Sequence, residues 1–345
     1  MKTFSYFCFR MGKHLFTYLL FLWVGVMSGL AFVVQASPNF YFKQLSQQDG
    51  LPQNFVRSIM LDHNGFFWIG TSRGVSRFDR HEFKNYSAVP DSATSLPDNL
   101  IHFIVEDAQN NIWISTSKGV CVYQRKSDDF KRIRWGKRAL QAHSYMLTDD
   151  ALLLGGRGVI YRWDYARSVM DTVPIRWKER SYAFFNYMSS WRKHYWVLSS
   201  RWEGMWILDC RTGEITRPEF CREREIMAVK VDSRDNLWIS PYGKGLDGYG
   251  DGGRKRVHYD MSNSDLTHNV ILDIEERDDQ LWLATDGGGI SILNRGDNSF
   301  SNIRYVPGDV YSFPVSSVFC LYRDKDNNMW AGTIRGGLFG IKEVY

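Results

Sequence analysis

LDHNGFFWIGTSRGVSRFD (residues 61–79) and EDAQNNIWISTSKGVCVYQ (residues 106–124) are two copies of one pattern. Each has, in the same order, a turn, an apolar run centred on a tryptophan, a Ser-cation-Gly turn and a second apolar run. Further copies stand at 231–249, 275–293 and 323–341, and HYWVLSSRWEGMWILD at 194–209 is a looser one. The copies centre on Trp68, Trp113, Trp196, Trp238, Trp282 and Trp330, at steps of 45, 83, 42, 44 and 48 residues. The long step is about two periods, so a degenerate copy is expected inside it. ALLLGGRGVI at 151–160 fills the gap, with Leu153 at the tryptophan position, and brings the number of copies to seven.

A period of roughly 40–45 residues is the length of a four-stranded propeller blade. In the first copy, Phe55 to Asp62, Phe66 to Thr71, Val75 to Phe78 and Phe83 to Tyr86 read as the four strands. His63-Asn64-Gly65 is a hairpin signal, because Asn-Gly tolerates the positive φ of a type I′ turn. Residues 40–54 match 83–99, a fourth strand plus the lead into a first strand. The last copy ends after three strands, so the strand at Phe42–Leu45 is expected to complete it and leave no open sheet edge. The expected fold is all-β: a single seven-bladed β-propeller of four-stranded antiparallel blades over 37–345, its ring closed by the N-terminal strand. A large aromatic at one place per blade fills the space between sheets, so the six tryptophans are read as core. The carboxylate six residues before five of them, Asp62, Asp107, Asp232, Glu276 and Asp324, is read as satisfying a turn.

The wider composition agrees. Of 345 residues, 44% are hydrophobic and 23% charged, which excludes a disordered chain. The formal net charge of +5 is too mild to imply nucleic-acid binding. Residues 1–36 read as a secretory signal peptide: Lys2, Arg10 and Lys13, an apolar run from Leu15 to Val34, and Val34-Gln35-Ala36 as the cleavage site. The run is about long enough to span a bilayer, so an uncleaved anchor is the alternative. The protein is therefore expected in the periplasm, with membrane contact only through this segment. Cys8 leaves with the signal, and Cys121 and Cys320 fall in strand-like runs as buried thiols. An oxidising compartment would permit a Cys210–Cys221 disulfide, although spacing alone does not set Cβ geometry.

GLPQNFVRSIMLDHNGFFWIGTSRGVSRFD at 50–79 resembles the two-component regulator propeller repeat. The resemblance covers about 40–345, clear in most copies and weak at 140–215. It implies the periplasmic sensor region of a hybrid two-component system of Bacteroides type, which senses oligosaccharides. Such sensors normally continue into a second propeller, a β-sandwich, a membrane helix, a histidine kinase and a response regulator. None of these is read in this chain, so kinase activity is not assigned to it. It looks like the first propeller alone, a truncated product or a shortened relative.

Strand direction alternates in a blade, so the turn between strands two and three shares a face with the blade-to-blade loops. Ligands of propellers commonly sit on that face. Those turns carry Arg73, Lys118, Arg157, Arg201, Lys244 and Arg335, with Asp286 in the sixth blade. KRIRWGKR at 131–138 and RWKER at 176–180 add basic loops, and Trp135, Trp177, Trp191 and Trp202 lie in or near loops. Guanidinium and ammonium groups pair with carboxylate or sulfate, and exposed indole faces stack on sugar rings. Arg73, Lys118, Arg157, Arg201, Trp202, Lys244, Asp286, Arg335 and Trp135 are thus the candidate site for an acidic or sulfated oligosaccharide. Solvated turns also hold Arg and Lys for no such reason, and an aromatic, Arg-rich rim equally suits a second propeller or a homodimer partner.

Other chemistry is thin. The sequence shows no metal-ligand spacing, no HExxH, no G-x-S-x-G and no phosphate loop, and no cofactor is expected. Asp-x-Asn-Gly-x-x-Trp at 62–68 resembles the Asp-box of sialidase propellers, which is itself structural. The reading is a non-catalytic sensor or binding module. The alternatives are a secreted propeller glycosidase or lyase, and an assembly scaffold. A glycosidase needs two facing carboxylates, so two buried carboxylates beside a deep pocket would favour the enzyme.

Overall fold

Seven sheets repeat one strand order along the chain. The computed structural model describes residues 39–179, 181–223, 225–250 and 253–344. The segment 1–36, read from sequence as a signal peptide, and Cys8 with it lie outside them. Blade 1 consists of Val56–Leu61, Phe67–Thr71, Gly74–Phe78 and Phe83–Tyr86, in that order from the axis outward. Blade 2 begins at Ile101–Glu106, blade 3 at Ser144–Leu147, blade 4 at Tyr187–Trp191, blade 5 at Ile226–Val231, blade 6 at Ile271–Arg277 and blade 7 at Val318–Arg323. Every consecutive pair of strands within a blade is antiparallel. A 3-10 turn stands at Gln47–Asp49. The chain is an all-β, seven-bladed propeller.

The ring is closed by a strand from the other end of the chain. Blade 7 runs Val318–Arg323, Met329–Thr333 and Leu338–Val344, and its outermost strand is Asn39–Leu45. Seven residue pairs hold that junction, from Asn39 with Val344 to Leu45 with Leu338. Blade 4 carries an addition: Arg176–Trp177 pairs in parallel with its outer strand, making five strands.

Seven apolar clusters, one per neighbouring pair of blades, fill the gaps between sheets. Trp68 lies between blades 1 and 2 with Ile104, Ile114 and Tyr123. Trp113 lies between blades 2 and 3, Trp238 between 5 and 6, and Trp282 between 6 and 7. Trp330 meets Phe67 of blade 1 at 4.4 Å between ring centres. Leu153 takes the place in blade 3: it pairs with Met146 as Trp68 pairs with Met60. Burying 150–250 Å² of indole contributes about 4–6 kcal/mol.

Trp196 departs from this register. In blade 4 the residue across from Ser189, in the tryptophan place, is Val197, and Trp196 pairs with Ser190. Successive strand residues face opposite ways, so a one-residue slip turns the ring to the other side. Trp196 accordingly packs against the blade 3–blade 4 cluster, and Val197 joins Trp191 in the blade 4–blade 5 cluster.

The carboxylate six residues before each regular tryptophan organises the turn between the first two strands. Asp62 Oδ1 accepts from the backbone N–H groups of Asn64 and Phe66, and Oδ2 accepts from Trp68 Nε1 at 3.0 Å. Asp107, Asp232 and Asp324 repeat this for Trp113, Trp238 and Trp330. Blade 6 differs: Glu276 accepts instead from Ser233 of blade 5, and Trp282 donates to Gln280. Arginines tie these carboxylates across blades. Arg125 reaches Asp62 and Glu106, and Arg295 reaches Asp232 at 2.8 Å and Glu276 at 2.7 Å with only 5% of its side chain exposed.

The opposite face is tied by backbone. In blades 1, 3, 5, 6 and 7 the glycine of the second turn donates toward the loop entering the next blade: Gly74 to Asn99, Gly158 to Ala183, Gly245 to Asn269, Gly289 to Ser316, Gly337 to Asn54. Gly74 has φ of +114°, and a Cβ there would stand 2.2 Å from the Tyr86 carbonyl oxygen, so only glycine fits.

Cys121, Cys210, Cys221 and Cys320 are all free thiols. The disulfide between Cys210 and Cys221 does not form: Cys221 is buried between blades 4 and 5, while Cys210 is exposed and its Sγ is turned to the His194 carbonyl. Cys121 is buried as expected, and Cys320 is half-buried on the channel wall.

Replacing Arg295 by Met strands two carboxylates and is expected to cost about 3–5 kcal/mol. Arg335→Ala, on an exposed turn, should change stability by less than about 0.5 kcal/mol. Urea unfolding of the two variants checks the contrast.

Candidate functional site

The first strands of all seven blades surround a central channel of about 1090 Å³. In blades 1, 2, 5, 6 and 7 the pairing of first and second strands slips by one residue near its start, between Val56 and Ser58, Ile101 and Phe103, Ile226 and Ala228, Ile271 and Asp273, and Val318 and Cys320. Such a bulge leaves one residue unpaired and re-aims its side chain. The bulged residues are Arg57, His102, Met227, Leu272 and Phe319, and all but Met227 and Leu272 are polar or aromatic. His143 and Asn186 stand at the corresponding place ahead of the first strands of blades 3 and 4, so each blade presents one residue to the channel mouth.

This ring holds the chemistry of the mouth. Arg57 lies over the Phe55 and Phe319 rings at 5.2 and 5.0 Å, and its Nε donates to the Ile101 carbonyl at 2.9 Å. On the adjoining arc His102 meets His143 at 4.0 Å between centres, and His143 stacks on Phe184 at 3.9 Å with 8° between planes. Arg201 and Trp202, from the second turn of blade 4, and Arg157, from that of blade 3, complete the rim. Arg157 is held by the Tyr182 carbonyl at 2.6 Å, and Trp202 is 68% exposed.

Enclosure shifts the titration of this ring. Burial lowers His102 to about 3, helped by the positive fields of His143 and Arg57. Burial and Arg57 lower His143 to about 4. Both imidazoles are neutral at pH 7, so the positive charge at the mouth belongs to arginine.

Three residues deeper along the strands, roughly 10 Å at 3.3 Å per residue, the wall becomes acidic and phenolic. Lys230 of blade 5 pairs with Glu275 of blade 6 at 2.9 Å. Asp273 faces the same channel, and desolvation raises its carboxyl to about 6. Asp273 and Glu275 are thus two enclosed carboxylates beside a deep cavity. They are already engaged: Asp273 accepts from the Leu321 and Ile274 N–H groups, and Glu275 from Lys230 and the Glu276 N–H. Neighbouring phenols also serve the frame, Tyr187 and Tyr322 accepting from the Val231 and Leu61 N–H groups.

Of the nine candidate residues, Arg157, Arg201 and Trp202 reach this channel. Lys118 is paired with Asp98 and Lys244 with Glu223 at the outer rim. Arg73, Asp286 and Arg335 are exposed on turns of the same face. Trp135 sits on a small hairpin, Arg134–Trp135 with Arg138–Ala139, and packs against Tyr161 rather than lining the channel. Arg57, His102, His143, Phe184 and Phe319 were not among the candidates. Arg57, His102 and Phe319 share a position, the residue after the buried start of a first strand; His143 stands just ahead of one, and Phe184 lies in the loop leading to blade 4. Among the described residues no group of three or more His, Cys, Asp or Glu is placed to hold a metal ion.

Three segments, residues 50–73, 95–118 and 312–335, match the family model described as "Two component regulator propeller". These three segments are two-component regulator propeller repeats. Each matched segment runs from a blade-to-blade loop through the first two strands to the cationic second turn, the unit that joins one blade to the last. A chain described as the extracellular domain of a hybrid two-component system from B. thetaiotaomicron superposes with a TM-score of 0.72 at 23% identity, over 88% of this chain and 42% of that one. A second such domain from the same organism gives 0.67 at 19% identity, over 89% and 43%. PorZ, a surface component of the type-IX secretion system of Porphyromonas gingivalis, gives 0.63 at 15%, over 85% and 47%. This chain therefore spans less than half the length of each. The search of curated protein sequences found no match. Among the described residues no helix is long and apolar enough to cross a membrane.

The channel groups make stability depend on pH in opposing ways. Unfolded histidine takes up a proton below about 6.5, whereas folded His102 and His143 wait until about 3 and 4. Protons therefore favour the unfolded chain, and stability falls as pH drops below about 6.5. Asp273 protonates in the fold near 6, above the unfolded value of about 3.9, so acid favours the fold at that residue. Between pH 7 and 5, the double variant His102→Gln/His143→Gln should lose less stability than the parent, and Asp273→Asn more, in urea unfolding at each pH.

Proposed function

We infer that this chain is a non-catalytic, ligand-sensing propeller of a hybrid two-component signalling system, working in the periplasm and recognising an oligosaccharide. The observation that carries the reading is the open channel on the loop face of a ring built from two-component regulator propeller repeats. The described extracellular domains of B. thetaiotaomicron share that ring and belong to hybrid two-component systems, which supports a role in signal reception. The mouth combines arginines with exposed indole and stacked rings, the surface types that hold hydroxyl-rich rings with acidic groups. Catalysis finds little support, since both channel carboxylates are engaged with backbone or Lys230.

A second reading is a docking platform. Val310, Tyr311 and Trp202 are 87%, 85% and 68% exposed on the loop face, and the similar ring of PorZ belongs to a secretion machine.

A thermal-shift screen of the purified full chain against oligosaccharides of matched length, neutral and acidic, tests the first reading. A ligand at 100 times its dissociation constant adds about 2.7 kcal/mol. A shift of several degrees with a defined sugar class, without turnover, is the expected result. No shift with any sugar, together with a self-associating or partner-bound ring, would replace it by the docking platform.

A further inference from the structure

We propose that Arg57 and Arg201 form an anion clasp at the channel mouth, taking a carboxylate or sulfate group of the ligand while the His102–His143–Phe184 stack supports its ring. The proposal rests on the sensing reading and names the chemistry of that site.

Arg201 lies in the second turn of blade 4 and Arg57 on the bulge of blade 1, and both line one cavity. Both are half-buried, and neither makes an ion pair with any described residue. Arg57 gives its Nε to a neutral carbonyl and lies on two phenyl rings. The Arg201 guanidinium bonds no described residue; its backbone N–H donates to Asn186 Oδ1 and its carbonyl accepts from the Ile226 N–H. Glu203, an acid lining the same cavity beside Trp202, accepts from the Ser181 hydroxyl at 2.7 Å. Other cations of this face, Lys118 and Lys244, have found carboxylates.

Two desolvated like charges without an acid between them destabilise the free ring, and an anion relieves both. Burial and then the Arg201 charge lower the pKa of Arg57, and burial lowers that of Arg201. The neighbouring imidazoles are neutral and add no competing charge at pH 7. Guanidinium forks match carboxylate and sulfate geometry, each with two parallel hydrogen bonds. The stacked arc beside them brings three aromatic rings to the same cavity, where a sugar ring can pack against them.

The test uses the full chain with sodium sulfate and sodium glucuronate as probes, against sodium chloride of equal ionic strength and glucose. Melting temperature and titration calorimetry are the readouts. Sulfate and glucuronate should stabilise the parent beyond chloride, and Arg57→Gln/Arg201→Gln should bind them at least tenfold more weakly. The double variant retains any general salt effect and sets that baseline. Arg201→Gln alone breaks no hydrogen bond and removes one of two facing charges, so without anion it should melt above the parent. Arg335→Gln, away from the channel, should bind as the parent does. An anion response undiminished in the double variant, or Arg201→Gln melting below the parent without anion, overturns the clasp. A neutral oligosaccharide that binds parent and double variant equally also overturns it while leaving the sensing reading intact. An anion response with no oligosaccharide response does the reverse.

Discussion

A four-stranded blade has two broad faces, and in this ring each can be buried only against the blade on either side. Stability therefore passes from neighbour to neighbour through seven apolar clusters, and no blade can be finished without the next. The constraint has one awkward point, the junction of first and last blades. Placing Asn39–Leu45 on the edge of blade 7 solves it with chain from the opposite terminus. Separating the ends then requires breaking seven residue pairs and the Phe40 and Phe42 packing against the last clusters.

The two faces of the ring are held differently, and the difference leaves room for a site. On one face, carboxylates and arginines bind side chain to side chain across blades, as Arg295 does for Asp232 and Glu276. On the other, glycine turns clip to the next blade by backbone alone. Backbone clips leave the side chains of those turns and loops free of structural duty. The cations and the exposed aromatics collect there, and so does the mouth of the channel. Bulges at the start of five of the first strands add one inward residue each, and these vary in kind from arginine to leucine while their backbone stays alike.

The repeat was legible because it follows from the blade's own burial. Trp68, Trp113, Trp238, Trp282 and Trp330 announce their places by size and by a carboxylate six residues before, and Leu153 could be located by counting. Trp196 misled for a physical reason: adjacent strand residues face opposite clusters, so an aromatic one position off looks the same in sequence and packs against a different blade. The candidate site was legible only in part. The second-turn cations share a face, but their distances from the axis differ, and only Arg157 and Arg201 with Trp202 come inward. Arg57 and His102 lie in strands, His143 just ahead of one, and none carries a motif; what re-aims Arg57 and His102 is the bulge, which depends on pairing rather than composition.

The sequence by itself determined the number of blades, their strands and the closing strand, because alternation, turn chemistry and a fixed aromatic act within about 20 residues. Tertiary structure alone decided which residues meet at the axis. Seven inner strands, tens of residues apart in the chain, converge on one cavity, and charge pairing there selects which side chains remain unsatisfied. Lys118 and Lys244 found acids and Arg57 and Arg201 did not. That outcome turns on distances between blades, which no single repeat encodes.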